Sequence, residues 1–329
     1  MRDIIEKVPI PTAGVALGLA ALGNLLQPLS EVAHLTCGIA ALILVAMLAA
    51  KIVLFPQMIR DDLRDSILAS VSGTVFMVLM QLSTYLAPLA YYPAFAVWAA
   101  AVIAHLALIA WFSVRFFAQF KLHEVFPTYF ICYVGIIVAS ATAPTFGMQF
   151  AGLTLFWFGF ACYLVLLGLV TYRYAKHEIP EAARPLFCIY AAPMSLSLVG
   201  YLSVSPQPSI LFVAVLAVLA QALFTLVLVH LPKLLRLKFY PSYAAMTFPF
   251  VITATALGKV VAFFRANGTP LPFAVDVVFY LETAFATIMV LYVLGHFLRF
   301  FLHRIDLPQS VAVLQENAQI SRFSENFKD

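Results

Sequence analysis

Apolar residues in this chain come in long blocks rather than in the strict alternation of a half-buried strand or the stripe of a surface helix, and the charged positions between blocks are clustered. No Asp, Glu, Lys or Arg lies between Asp65 and Arg115, between Glu124 and Arg173, or between Arg184 and Lys233. Counted between those residue numbers, the gaps hold 49, 48 and 48 residues. Each is too long for one membrane-crossing helix of about 20 residues and suits two joined by a tight turn. Turn residues stand near each midpoint: LAPLAYYP at 86–93, APTFG at 143–147 and SVSPQPS at 203–209. Two further hairpins flank these. The one at 8–50 is interrupted only by Glu31, beside a turn at Gln27 and Pro28, and the one at 239–298 turns at Arg265 and NGTPLP.

Five hairpins predict an all-α integral membrane protein of ten transmembrane helices. The last charged residues ahead of the hairpins are Lys7, Asp65, Glu124, Arg184 and Lys238, so successive starts lie 58, 59, 60 and 54 residues apart. One hairpin is repeated five times in the same orientation. Composition agrees: the chain is 64% hydrophobic and 10% charged, with mean hydropathy +0.99, whereas a soluble domain is about one quarter charged. The basic residues divide 17 to 2, with only Lys259 and Arg265 on the side away from the termini. Lys and Arg are retained on cytoplasmic loops, which places both termini in the cytoplasm and the protein in the inner (plasma) membrane. The net charge of +4 is mostly a property of that inner face, and no nucleic-acid partner is read from it. No cleavable signal peptide is expected, because the first apolar run opens with Pro9 and Pro11 and has no cleavage-like end. Residues 1–305 read as the transmembrane domain and 306–329 as a short polar cytoplasmic tail.

The two helices of each hairpin differ in kind. Trp98, Trp111 and Trp157 all sit on second helices, whose bulky runs suit an outer ring against lipid. First helices, spanning 9–28, 66–87, 127–147, 185–204 and 239–263, carry hydroxyls and helix breakers and suit an inner ring. Small hydroxylated residues also serve close helix packing. Proline adds a further constraint, since it removes a backbone hydrogen bond, and freed backbone at membrane depth is tolerated where it faces protein or a water-filled cavity. Pro249 is expected to free the carbonyl of Ala245, and Pro193 that of Ile189, bending the inner helices around a pore. The hydroxyls Ser70, Ser140, Ser195 and Thr255 are candidates to line it. Cys37, Cys132, Cys162 and Cys188 lie inside spans without metal-ligand spacing and read as small buried residues. Ser, His and acid fall in no nucleophile-elbow, Walker or zinc spacing, so neither an enzyme nor a cofactor or metal site is expected.

AMTFPF in the fifth hairpin, YVGIIVASATAP at 133–144, AAPMSLSLVGYL at 191–202 and PIPTAGVALGLAALGNLL at 9–26 resemble the tellurite-resistance/dicarboxylate transporter family. That family includes bacterial TehA and the plant slow-type guard-cell anion channels. The resemblance implies ten helices, an inner ring of five kinked helices around a pore, an outer ring of five against lipid, and commonly a homotrimer with one pore per protomer. It implies that Phe248 is the occluding gate, beside the kink at Pro249, and that Gly14 lines the pore. The chain departs from the pattern at Ala13 and Ala16, where many relatives carry an aromatic residue and a proline.

No inner span holds Asp or Glu, so a cation finds no counter-charge there, and a small inorganic or carboxylate anion is the expected solute. Counted from Phe248, Ile252, Thr255 and Lys259 share one helix face. Lys259 reads either as a pore-mouth charge or as a lysine snorkelling to the interface. Among the ionisable residues of outer helices, His105, Asp276, Glu282 and His296, Glu282 is the deepest carboxylate. An intramembrane carboxylate keeps open a proton-coupled carrier or exporter of dicarboxylate, sulfite or tellurite. Its place on the outer ring puts it at the interface of a trimer.

Overall fold

The computed structural model describes residues 2–118 and 120–302, and the predicted tail lies outside them. Among the described residues there is no strand. Eight helices are long and apolar enough to cross a membrane, nine if the bent pair Thr128–Val134 and Ile137–Phe146 forms one span; Thr12–Leu26 is apolar but shorter, with 15 residues. Short helices at Arg2–Lys7 and Pro56–Asp62, a π-helical turn at Ser113–Phe117 and a 3-10 turn at Leu122–Glu124 occupy stretches that apolar patterning leaves unassigned.

Burial separates two classes of helix. The most apolar window of Glu31–Leu54, Gln149–Lys176 and Ile210–Leu234 is 28% buried, and that of Tyr91–Phe117 and Phe273–Leu302 is 33%. The corresponding windows are 56% buried in Ser66–Leu86, 83% in Glu181–Val204 and 67% in Pro241–Ala266. Thr12–Leu26 is buried continuously from Thr12 to Gly23. The buried class packs in sequence: Thr12–Leu26 on Gly73–Leu86, that on Ile137–Thr142, that on Ala192–Val204, that on Phe248–Ala266, which returns to Thr12–Leu26. Each is also covered by the exposed helix that follows it in the chain.

Hydrogen bonds join neighbours at equivalent positions. Ser70 donates to Thr128 Oγ1 at 2.8 Å, Ser66 to the Glu124 carbonyl at 3.1 Å, and Tyr240 to Glu181 Oε1 at 2.7 Å; Ser195 and Thr253 hydroxyls lie 3.1 Å apart. The partners are 58 or 59 residues apart in the chain, which is the spacing of the sequence repeat. Burial and the adjacent Glu181 carboxylate push the Tyr240 hydroxyl up to about 12, so it remains a donor at physiological pH.

Four of the five buried segments are broken, Thr12–Leu26 being the continuous one, and the breaks explain the prolines within them. Pro249 does not bend the middle of one helix. A 3-10 segment, Pro241–Met246, ends at Thr247, and an α-helix begins at Phe248 with Pro249 in its first turn. Pro193 likewise stands in the first turn of Ala192–Val204, after the 3-10 segment Glu181–Ala191. A first-turn proline is tolerated because its missing N–H would have no helical partner there. The carbonyl of Ile189, expected to be free, accepts from the N–H of Ala192. The bent pair meets at 51° around Gly135 and Ile136. There the buried ring of His105, on the neighbouring exposed helix, lies with Nε2 2.8 Å from the Cys132 carbonyl. A carbonyl only accepts, so Nε2 carries the proton.

Candidate functional site

The five buried segments line one cavity of about 550 Å³. Its walls begin at Asp3, Glu6, Lys7, Lys51 and Asp62, and along the successive spans they reach Leu17, Met77, Gly135, Leu196 and Pro249. Charged side chains line only the mouth, and the remaining wall is mainly apolar. Lys51 comes from an exposed-class helix, yet its side chain is buried, at 4% exposure, and reaches this mouth. Burial raises the Asp62 carboxyl above its ordinary range, while the Lys51 ammonium opposes that shift.

Phe248 lines the cavity where the break presents it, at 6% exposure. Phe250, two residues on, faces the opposite way. It is 1% exposed, and its ring packs 6.0 Å from Phe224 and 5.1 Å from Phe285, centroid to centroid. The break itself is seated on Thr12–Leu26. The Thr247 hydroxyl stands 3.0 Å from the Gly14 carbonyl and 2.7 Å from that of Ala244. A Cβ added at Gly18 would lie 2.5 Å from Thr247 Cβ, and one at Gly14 would lie 3.3 Å from Ala244 Cβ. Two glycines therefore give the segment before Phe248 its close approach. Ala13 and Ala16, where the family pattern differs, are buried and do not line the cavity.

Gly14, Pro193, Phe248 and Pro249 share the cavity wall; Ser70, Ser140, Ser195 and Thr255 do not. These four hydroxyls, expected to line a pore, are absent from the wall of this cavity. Ser70 is turned into the seam with Thr128, and Ser195 into the seam with Thr253. Ser140 donates to the Gly152 carbonyl at 2.7 Å, on the covering helix of its own hairpin. Thr255 donates to the Val251 carbonyl of its own helix at 2.9 Å, two turns beyond Phe248. In each case a polar group at membrane depth has found a protein acceptor in place of water. The hydroxyl residues on the cavity wall are Thr74, Tyr240 and Ser242, of which Thr74 donates to the Val71 carbonyl at 2.6 Å and Ser242 to the Ala182 carbonyl at 2.6 Å. Lys259 is exposed and lies beyond the cavity on the Phe248 helix. Glu282, expected at an interface between protomers, is buried within this one at 5% exposure. Lys51 and Tyr240 line the mouth without having been marked by the sequence pattern. Both lay beside the ends of the apolar blocks, where periodicity gives no direction.

Among the described residues no cluster of His, Cys, Asp and Glu could hold a metal ion. A family model described as voltage-dependent anion channel matches residues 7–298. No curated protein matches the chain.

Proposed function

The chain belongs to the voltage-dependent anion channel family, and from that premise we propose that it is an anion channel whose path runs through the cavity and is closed by the Phe248 ring. The observation that carries this reading is the one cavity walled by all five buried segments, with Phe248 and Pro249 at the inner end of its fifth wall. Within the wall no carboxylate stands beyond the mouth, so an anion meets no fixed like charge on the way in. An aromatic ring across a narrow apolar passage stops ions by excluding the water they travel with, and stripping that water costs far more than thermal energy.

The arrangement proposed around this path is ten spans in five hairpins, the buried set inside and the exposed set against lipid, with both termini in the cytoplasm. By resemblance to TehA-like proteins, three protomers assemble with one path each. The solutes are small inorganic or carboxylate anions. Transport is passive on this reading, since Glu282 does not line the cavity.

The test is anion-replacement current in planar bilayers, for the wild type and Phe248→Ala, with and without a pH gradient. A reversal potential that follows the chloride or nitrate gradient in the variant supports the channel. One that follows protons overturns it in favour of the coupled carrier or exporter of dicarboxylate, sulfite or tellurite.

A further inference from the structure

The carboxyl group of Glu282 is enclosed in apolar surroundings without a partner. Both its oxygens are buried, and neither makes a hydrogen bond. The Gln221 side chain, on Ile210–Leu234, is close enough to act on it but outside hydrogen-bond geometry. On the Glu282 helix, Phe279 three residues before and Phe285 three residues after both pack on the Phe248 helix. Phe279 fills the space at Gly258, and Phe285 lies 5.1 Å from Phe250. Residues at that spacing share a helix face, so Glu282 lies on the face that carries those two rings, with Gln221 of Ile210–Leu234 also beside it.

No cation reaches it. On the Phe248 helix Lys259 is exposed, and Arg265 is engaged by Asp276 at 3.1 Å. Thr12–Leu26 carries no titratable group. Tyr243, in Pro241–Met246, donates to the Leu237 carbonyl at 2.7 Å. Arg2, Asp3, Glu6 and Lys7 belong to the helix at the charged mouth, and His230 and Lys233 to the last turns of Ile210–Leu234. On its own helix Tyr280 is exposed, while Tyr292, His296 and Arg299 stand more than two turns further on. Among the described ion pairs none involves Glu282. A carboxylate ion in such a place has lost its hydration and gained no counter-charge in return, only the neutral Gln221 amide nearby. The neutral acid avoids that penalty.

We propose that Glu282 is a proton-binding site, a neutral carboxyl clamped between the last helix and the Phe248 helix, whose deprotonation loosens that seam and favours opening. The second half rests on the channel reading; the first does not. An ionised Glu282 must draw water between Phe279 and Phe285, and those rings hold the helix that begins at Phe248. The closed seam binds the proton and the wet, loosened seam releases it. Alkaline pH therefore favours the conducting state, by at most about tenfold per pH unit for one linked proton.

Two measurements on the full-length reconstituted protein test this. Dicyclohexylcarbodiimide reacts with a protonated carboxyl in an apolar site: the acid proton passes to one carbodiimide nitrogen as the carboxyl oxygen bonds to the central carbon, and an acyl shift to nitrogen gives a stable N-acylurea. Peptide mass spectrometry is expected to find this adduct on Glu282 at neutral pH, but none there with a charged, water-soluble carbodiimide. An unmodified Glu282 with the apolar reagent, or equal modification by both, overturns the neutral buried acid. In the second measurement, anion conductance of the wild type and Glu282→Asp is expected to rise from pH 6 to pH 9, while Glu282→Gln is flat. The same rise in Glu282→Gln overturns the coupling to opening. If no variant passes anions, the channel reading fails, and the adduct alone decides the proton site.

Discussion

Phe248 and Phe250 are two phenylalanines with different tasks on one turn of helix. Truncating a packed core phenylalanine costs about 3–5 kcal/mol, and Phe250, wedged between Phe224 and Phe285, is expected to lose stability on that scale. Phe248→Ala removes a ring whose edge meets open space, so its melting temperature should stay near wild type while anion conductance rises strongly. Recording both variants side by side decides the assignment, and it fails if Phe250→Ala is the one that conducts. A second residue-scale prediction concerns the mouth. Lys51 is a cation fixed by burial among Asp62, Glu6 and Asp3, and a fixed charge there sets the local anion concentration over a screening length of about 10 Å at 0.1 M salt. Conductance of Lys51→Met in the Phe248→Ala background should fall in dilute salt and recover in concentrated salt. A loss independent of salt would mean that Lys51 acts only through packing.

At the scale of elements, an all-helical chain with many apolar helices was legible in the sequence, but not which side of a buried helix faces the cavity. The cause is physical. A helix such as Thr12–Leu26, buried from Thr12 to Gly23, shows no contrast between a wet and a dry side, so its period carries no direction. Gly14, Pro193, Phe248 and Pro249, which line the cavity, stand where the chain is broken or thinned, and Gly and Pro are visible in a sequence. Ser70, Ser140 and Ser195 lie off the cavity wall because a hydroxyl in an apolar helix turns towards a carbonyl or hydroxyl in reach, and the seams offer one. The Thr128–Val134 and Ile137–Thr142 break also depends on a residue from another helix. His105→Leu leaves the Cys132 carbonyl buried and unpaired, which costs about 1–3 kcal/mol. His105→Gln, which keeps a donor, should recover part of the loss in thermal unfolding. Equal stability of the Leu and Gln variants would show that the hydrogen bond contributes nothing.

At the scale of the whole molecule, the charge asymmetry makes the most direct prediction. Cysteines introduced at Ser205 and Asn267, which follow the Ala192–Val204 and Phe248–Ala266 helices, should react with an impermeant thiol reagent added to intact cells. Cysteines at Gln57 and Glu181, at the opposite helix ends, should not. Reversed labelling would falsify cytoplasmic termini. The exposed apolar side chains of the covering helices, among them Ile39, Ile103, Trp157, Val218 and Ile288, are the surface such an orientation places against acyl chains.

The contact between Thr247 and Gly14 joins residues 233 positions apart, and that separation bears on how the protein is made. Helices emerge from the ribosome in chain order, and each buried helix after Thr12–Leu26 can pack on the buried one synthesised before it. The first helix must instead wait, with Gly14 and Gly18 uncovered, until the last hairpin has been synthesised. Its exposed backbone in the interim is the kind of non-local vacancy that slows folding and attracts chaperones or proteases. A chain stopped after Leu234 should still be inserted into the membrane, yet be degraded rapidly in pulse-chase labelling. Supplying residues 235–329 as a separate polypeptide in the same membrane should lengthen its half-life. If the truncated chain is as long-lived as the full one, the cycle of helices needs no late closure and the first helix finds its shelter earlier.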